Sequence, residues 1–188
     1  PNYSAYPVET SSFKRKMMRD ISGQTGFRFM ASRVSGTAGI FSADPEVRRQ
    51  AQPYLSMWLT QVAMIAVLHF TLSAWLYLLW IGSTMTLYMV FARLRQVAEH
   101  AAVPDALDRD PRMNTRTTYA ARLERLTVSP CYVYYPLAHH LMAAVPAYRL
   151  KRFHQLLKAR GAYEETRLYE GYVDVIRHVI NVPGSQVA

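Results

Sequence analysis

Charge is distributed discontinuously along this chain. From Leu55 to Ala92, 38 consecutive residues contain no Lys, Arg, Asp or Glu. As a single α-helix rising 1.5 Å per residue, the block would be about 57 Å long. The hydrocarbon core of a bilayer is only ~30 Å thick and is crossed by roughly 20 residues. Two spans joined as a hairpin fit the block, so the pattern predicts helices over Leu55–Phe70 and Trp75–Ala92 with a turn near Thr71–Ala74. Trp58, Trp75, Tyr77, Trp80 and Tyr88 are spaced to serve as interfacial anchors. The competing reading is the buried core of a soluble helical protein, but an uncharged run of this length is hard to place there. A hairpin returns both ends to one side, and basic pairs occur at both: Arg48 and Arg49 before the block, Arg93 and Arg95 after it.

The flanking segments show helical periods of a different kind. Residues 1–13 read as an extended lead-in. Ser11 or Ser12 can cap a helix through Phe13, Met17, Met18 and Ile21, with Lys14, Arg15, Lys16 and Arg19 opposite and Gly23 and Gly26 as terminators. Such a basic amphipathic helix suits a lipid headgroup layer, although a surface helix of a soluble domain fits the segment equally. Residues 31–44, rich in Ser, Gly and Ala, read as a loop. Asp44-Pro45-Glu46 resembles an N-cap with Pro at the first helical position. Residues 101–125 read as a structured loop, on the strength of Pro104, Pro111 and the run Asn114-Thr115-Arg116-Thr117-Thr118.

Residues 126–148 again lack charge, but Pro130, Pro136 and Pro146 break them too often for a spanning helix. They predict a short helix at the membrane surface or against the hairpin. Lys151–Arg160 and Glu165–Ile180 predict two amphipathic cytoplasmic helices. The expected class is therefore all-α: a lead-in over 1–54, an integral membrane hairpin over 55–92, and a cytoplasmic helical cap over 93–188.

The formal charge of +9 sharpens this picture. All 22 basic residues lie outside the neutral block, which favours an anionic membrane surface over nucleic acid as partner. With Cys131 as the only cysteine, an intrachain disulfide is impossible. The first 13 residues lack the basic-then-apolar pattern of a signal peptide. A chain opening on Pro1 is expected to be processed or to belong to a longer polypeptide.

Candidate chemistry centres on Tyr134-Tyr135-Pro136-Leu137-Ala138-His139-His140, with Pro146-x-Tyr148-x-Leu150 beyond it. No Ser-His-Asp set, zinc-type Cys/His spacing or phosphate-cradling glycine loop competes. Neutral imidazole suits iron, and residues three or four apart on a helix share a face. Of the six histidines, His154 and His178 fall in basic amphipathic helices and read as solvated surface residues. His69 lies in the first predicted span and reads as a buried, hydrogen-bonded histidine.

Arg93-x-Arg95-x-x-Ala98-Glu99-His100-Ala101, Asn114-Thr115-Arg116-Thr117, Leu123-Glu124-Arg125-Leu126 and the 134–140 box form an ordered series. Together with Tyr6-Pro7-Val8 and Arg15–Gly26, the series resembles the carboxy-terminal half of bacterial membrane fatty-acid desaturases. The resemblance implies an integral membrane di-iron enzyme that uses oxygen, and electrons from a ferredoxin or cytochrome, to dehydrogenate an acyl chain. It implies His100, His139 and His140 as metal ligands. It also places Tyr134, Pro136 and Ala138 where the family's third box carries Asn, His and Glu, and the family's two earlier histidine boxes have no counterpart here. Three histidines cannot hold two irons, so the chain alone is expected to be inactive. The alternative is a non-catalytic desaturase relative kept as a subunit of a larger membrane complex, holding lipid or partner helices. The implied location is a bacterial inner membrane with both chain ends on the cytoplasmic side.

Overall fold

The computed structural model describes residues 6–164 and 166–181. The fold is all-helical, with ten α-helices among the described residues and one isolated parallel bridge between Thr118 and Tyr169. It divides into two compact units, one from Lys16 to Val90 and the other formed by the chain up to Arg15 together with the chain from Phe91 onward.

In the Lys16–Val90 unit, α1 (Thr10–Ile21) supplies its second half, followed by α2 (Gln24–Thr37), α3 (Pro45–Thr71), α4 (Leu76–Met85) and the start of α5 (Leu87–His100). Helix α1 begins at Thr10, ahead of both serines expected to cap it. Two residues past its end stands Gly23, whose φ of 80° is readily adopted only by glycine. Asp20, fully buried, accepts a 2.6 Å hydrogen bond from Thr25 across this break.

The segment expected to be a loop over 31–44 is instead helical to Thr37 and continues as a 3₁₀ turn over Ala38–Phe41. Its small residues serve close packing. A Cβ at Gly26 would overlap the carbonyl oxygen and Cα of Met85. One at Gly36 would strike the Tyr54 ring at 2.7 Å. Gly26 is thus a crossing point between α2 and α4, not a helix terminator.

Asp44 caps α3 through a 2.8 Å bond from the Glu46 amide, with Pro45 in the first turn. Helix α3 ends at Thr71 and α4 starts at Leu76, so the reversal spans the four residues between them. Trp58 donates to Thr37 Oγ1 at 2.8 Å, and the Tyr77 hydroxyl donates to Gln61 Oε1 at 3.1 Å. These bonds tie α3 to α2 and α4.

Two helical stretches, Pro45–Thr71 and Leu76–His100, are long and apolar enough to cross a membrane. The second bends at Thr86, between α4 and α5. No residue in the apolar window of the first is fully buried, and Phe70 and Trp75 are 84% and 77% exposed. Among the described residues His69 is exposed, beside Phe70, rather than buried.

The other unit has its own apolar core. Val97 and Ala98 of α5, with Ala101 just beyond its end, meet Tyr134, Tyr135, Ala138, Leu150, Tyr169, Tyr172, Val175 and Val179. Tyr6 belongs to this core and the Val8 amide bonds the Val179 carbonyl at 3.2 Å, so the end of the expected lead-in is packed. Residues 1–5 lie outside the described residues. Helices α6 (Pro111–Asn114) and α7 (Arg122–Leu126) punctuate the polar stretch. Helix α8 (Pro136–Leu141) packs on α6 and on α9 (Leu150–Ala159).

Helix α10 (Tyr172–Asn181) begins later than the predicted 165, and Glu165 itself is outside the described residues. The delay has a cause: Tyr169 pairs with Thr118, accepting from the Tyr119 amide and donating to the Thr117 carbonyl, and Gly171 turns the chain at φ 154°. Glu124 then fixes the start of α10, one carboxylate oxygen accepting from the Tyr172 amide and the other from the Ala121 amide.

His154 corrects the sequence reading most sharply, since it is 3% exposed rather than solvated. It lies on the stripe Leu150, Phe153, His154, Leu157, while Lys151, Arg152, Gln155 and Lys158 face outward. One ring nitrogen meets the Tyr119 hydroxyl at 3.0 Å, the other the Tyr163 hydroxyl at 2.8 Å, and Tyr135 stacks at 4.8 Å. Burial, and then the Lys158 cation, lower its pKa to about 4. His178 is half-buried against Tyr169, with ring centroids 5.7 Å apart.

Two outcomes are expected. Gly26→Ala gains up to about 1 kcal/mol of helix propensity, but forcing a methyl onto Met85 backbone costs about 1–3 kcal/mol, so the variant melts earlier in detergent. At Gly82 no atom lies within 4 Å of the place a methyl would occupy, and Gly82→Ala should melt later. An equal rise in both variants would contradict the crossing.

The second outcome concerns pH. Between about pH 6.5 and 4 the unfolded chain protonates the residue-154 imidazole and the folded chain does not. Stability is therefore full above 6.5 and falls as pH drops through this window, by on the order of 3 kcal/mol. Melting midpoints at pH 7.5 and 4.5 should differ less in His154→Gln than in the parent, and identical pH dependence would count against the buried neutral ring.

Candidate functional site

The site lies in the unit formed by the chain up to Arg15 and from Phe91 onward, where the end of α5 approaches α8. The last turn of α5 carries Glu99 and His100, and α8 carries His139 and His140 about one turn after Pro136. Proline at the first helical position of α8 forfeits no hydrogen bond there and is buried, together with Leu137 and Ala138. These apolar residues seat one side of α8 in the core, which turns the two histidines outward, where both are exposed. The His139 amide closes the first turn onto the Tyr135 carbonyl at 3.1 Å.

The structure brings the three histidines near one another. The His100 and His140 rings meet edge to face at 5.5 Å between centroids, and His139 and His140 are 5.9 Å apart. His100 Nδ1 lies 3.0 Å from the Asn114 carbonyl oxygen, and its Nε2 lies 3.8 Å from Glu99 Oε2. Partial burial holds the His140 pKa below the ordinary histidine range, and His100 and His139 add to the cost of protonating it. A neutral His140 offers a lone pair at neutral pH.

Beside them is a cavity of about 440 Å³. Arg95, Glu99, Cys131, His139 and His140 contribute its polar groups, and Val133, Pro136, Val145, Pro146 and Leu150 are among its apolar walls. Arg95 and Glu99 are a helical i,i+4 pair at 3.9 Å. Cys131 and Tyr132 both have left-handed backbone, with φ of 55° and 63°. Non-glycine residues adopt this at a cost of about 1–2 kcal/mol each, and here it turns the chain into α8.

A pair of irons does not fit the residues present. No group of three or more His, Cys, Asp or Glu side chains is placed to hold a metal ion among the described residues. The positions where the resemblance puts His, Glu and Asn serve packing. Pro136 and Ala138 are buried, and Tyr134 packs against Tyr135 with ring centroids 4.6 Å apart, beneath the Arg125 guanidinium. The His100 imidazole, with Nδ1 beside the Asn114 carbonyl, is nonetheless suited to a transition metal.

The resemblance pointed to His100, His139 and His140 but not to Arg95, Glu99 and Cys131 as their neighbours in the cavity. The adjacency of Arg95 and Glu99 to His100 on one helix was the available signal. Cys131 reaches the cavity only through the two left-handed residues, which composition does not announce.

No curated protein and no solved structure matches the chain. The family model described as fatty acid desaturase matches residues 1–172. That span contains the whole of α1 to α9 and every residue of the site, and the chain belongs to the fatty acid desaturase family.

Proposed function

We propose that this chain is a membrane-embedded desaturase-type protein of oxygen-dependent oxidoreductase ancestry, acting on acyl lipid only when further ligands join it. The observation that carries this reading is the family match over 1–172 together with the approach of His100 to His140 at 5.5 Å. His100, His139 and His140 would contribute to a di-iron centre completed by residues beyond these 188. The bared apolar sides of α3 and α4 support a helical hairpin in a membrane; the location proposed for it is a bacterial inner membrane, with both chain ends on the cytoplasmic side. Basic residues on the outer face of α9 suit anionic headgroups or an acidic electron donor of the ferredoxin or cytochrome type.

A second reading has its own support. Pro136, Leu137 and Ala138 are buried as packing residues, so apolar packing is what seats α8. On this reading the chain is a non-catalytic subunit of a larger membrane complex, binding lipid or partner helices, and the fold has outlived the chemistry.

Metal content separates the two readings. The purified 188 residues are expected to show no acyl desaturation with oxygen and a reductase, and fewer than a pair of irons per chain. Turnover by this chain alone would sink the first proposal as stated. Iron measured per chain with native partners retained then decides: a pair of irons supports the completed enzyme, and none supports the subunit.

A further inference from the structure

The end of α5 is held by a segment that the chemistry above does not use. An α-helix leaves its last carbonyls without partners inside the helix, and α5 leaves its axis through Ala102, whose φ of 50° is left-handed. The Glu99 carbonyl accepts two hydrogen bonds, from Thr115 Oγ1 and from the Arg116 amide, both at 3.1 Å. The Ala101 carbonyl accepts from the Arg116 guanidinium. Thr115 and Arg116 are 2% and 5% exposed, so these bonds are made away from solvent.

The same segment reaches His100. Its Nδ1 lies 3.0 Å from the Asn114 backbone oxygen. A carbonyl can only accept, so Nδ1 must carry the proton and the neutral ring must keep its lone pair on Nε2. The Asn114 side chain donates to the Asp108 carbonyl at 2.8 Å, which fixes the loop that presents this oxygen. We propose that Asn114, Thr115 and Arg116 form a positioning clamp. It sets the tautomer of His100 and leaves the lone pair on Nε2, the nitrogen that lies 3.8 Å from Glu99 Oε2. Carbonyl-held Nδ1–H is the arrangement that orients ligating histidines generally, and the clamp's use in catalysis rests on the function proposed above. Its geometry does not.

The test is nitrogen NMR of the full chain, labelled at histidine, in detergent at pH 8 without added metal. A His100→Gln sample assigns the ring. His100 is expected as a single Nδ1–H tautomer. Thr115→Val, which keeps the shape and loses one donor, should lose that single state and shift His100 toward the Nε2–H form that free imidazole prefers in water. Thr115→Ser should restore it. Should Thr115→Val fail to fold, as judged by circular dichroism, Arg116→Lys replaces it, since an ammonium keeps the charge without the guanidinium fork. A parent protein with His100 mainly as Nε2–H overturns the proposal, as does a folded variant with an unchanged tautomer. Because no metal enters the measurement, it can fail while the iron count succeeds, and the reverse.

Discussion

Helix ends need donors for their final carbonyls, and this chain meets that need at α5 with one short extended segment. Residues 114–116 supply hydrogen bonds to Glu99, Ala101 and the His100 ring within a single pass of the chain. Much of the surrounding unit depends on that attachment. The same strand continues through Thr118 to its bridge with Tyr169, and the turn at Gly171 then releases α10 into the core. Through Val97 and Ala98, with Ala101 just past its end, α5 forms the other face of that core. A buried polar segment is a costly thing to hold in place. Here the cost is offset by satisfying carbonyls that would otherwise be stranded.

The two halves of the candidate site are held by different physics. Backbone hydrogen bonds fix His100. Packing fixes α8: Tyr135, at its start, lies under the His154 ring, which is itself pinned between the Tyr119 and Tyr163 hydroxyls. His139 and His140 are carried outward on this support. A fully buried neutral imidazole with both nitrogens bonded specifies one arrangement of its neighbours, so the aromatic column sets the attitude of α8 without touching either histidine.

Much of this was legible in the sequence. The uncharged block gave the reversal between Thr71 and Leu76, because a helix of that length has few other ways to end. Asp44-Pro45-Glu46 announced the start of α3 through capping chemistry that is wholly local. Position 26 was misread because a glycine that ends a helix and a glycine that admits another backbone look alike until the partner, Met85, is known. His154 was misread through its basic neighbours, though its register with Leu150 and Leu157 placed it on the buried stripe. Neither the Tyr119 nor the Tyr163 hydroxyl belongs to its helix, and no local pattern foretells them. His100 and His140 were identified by resemblance, yet their approach depends on the α5 clamp, which only the fold reveals.

The acceptor that orients His100 is a main-chain oxygen, and this has an evolutionary consequence. No side-chain replacement at position 114 deletes that oxygen, so the contact is shielded from ordinary point substitution. What can displace it is a change in the length of the 105–113 loop, which would slide another carbonyl, or none, into its place. In a lineage drifting away from catalysis, insertions and deletions in that loop would therefore record the loss of the site more faithfully than substitutions at the histidines.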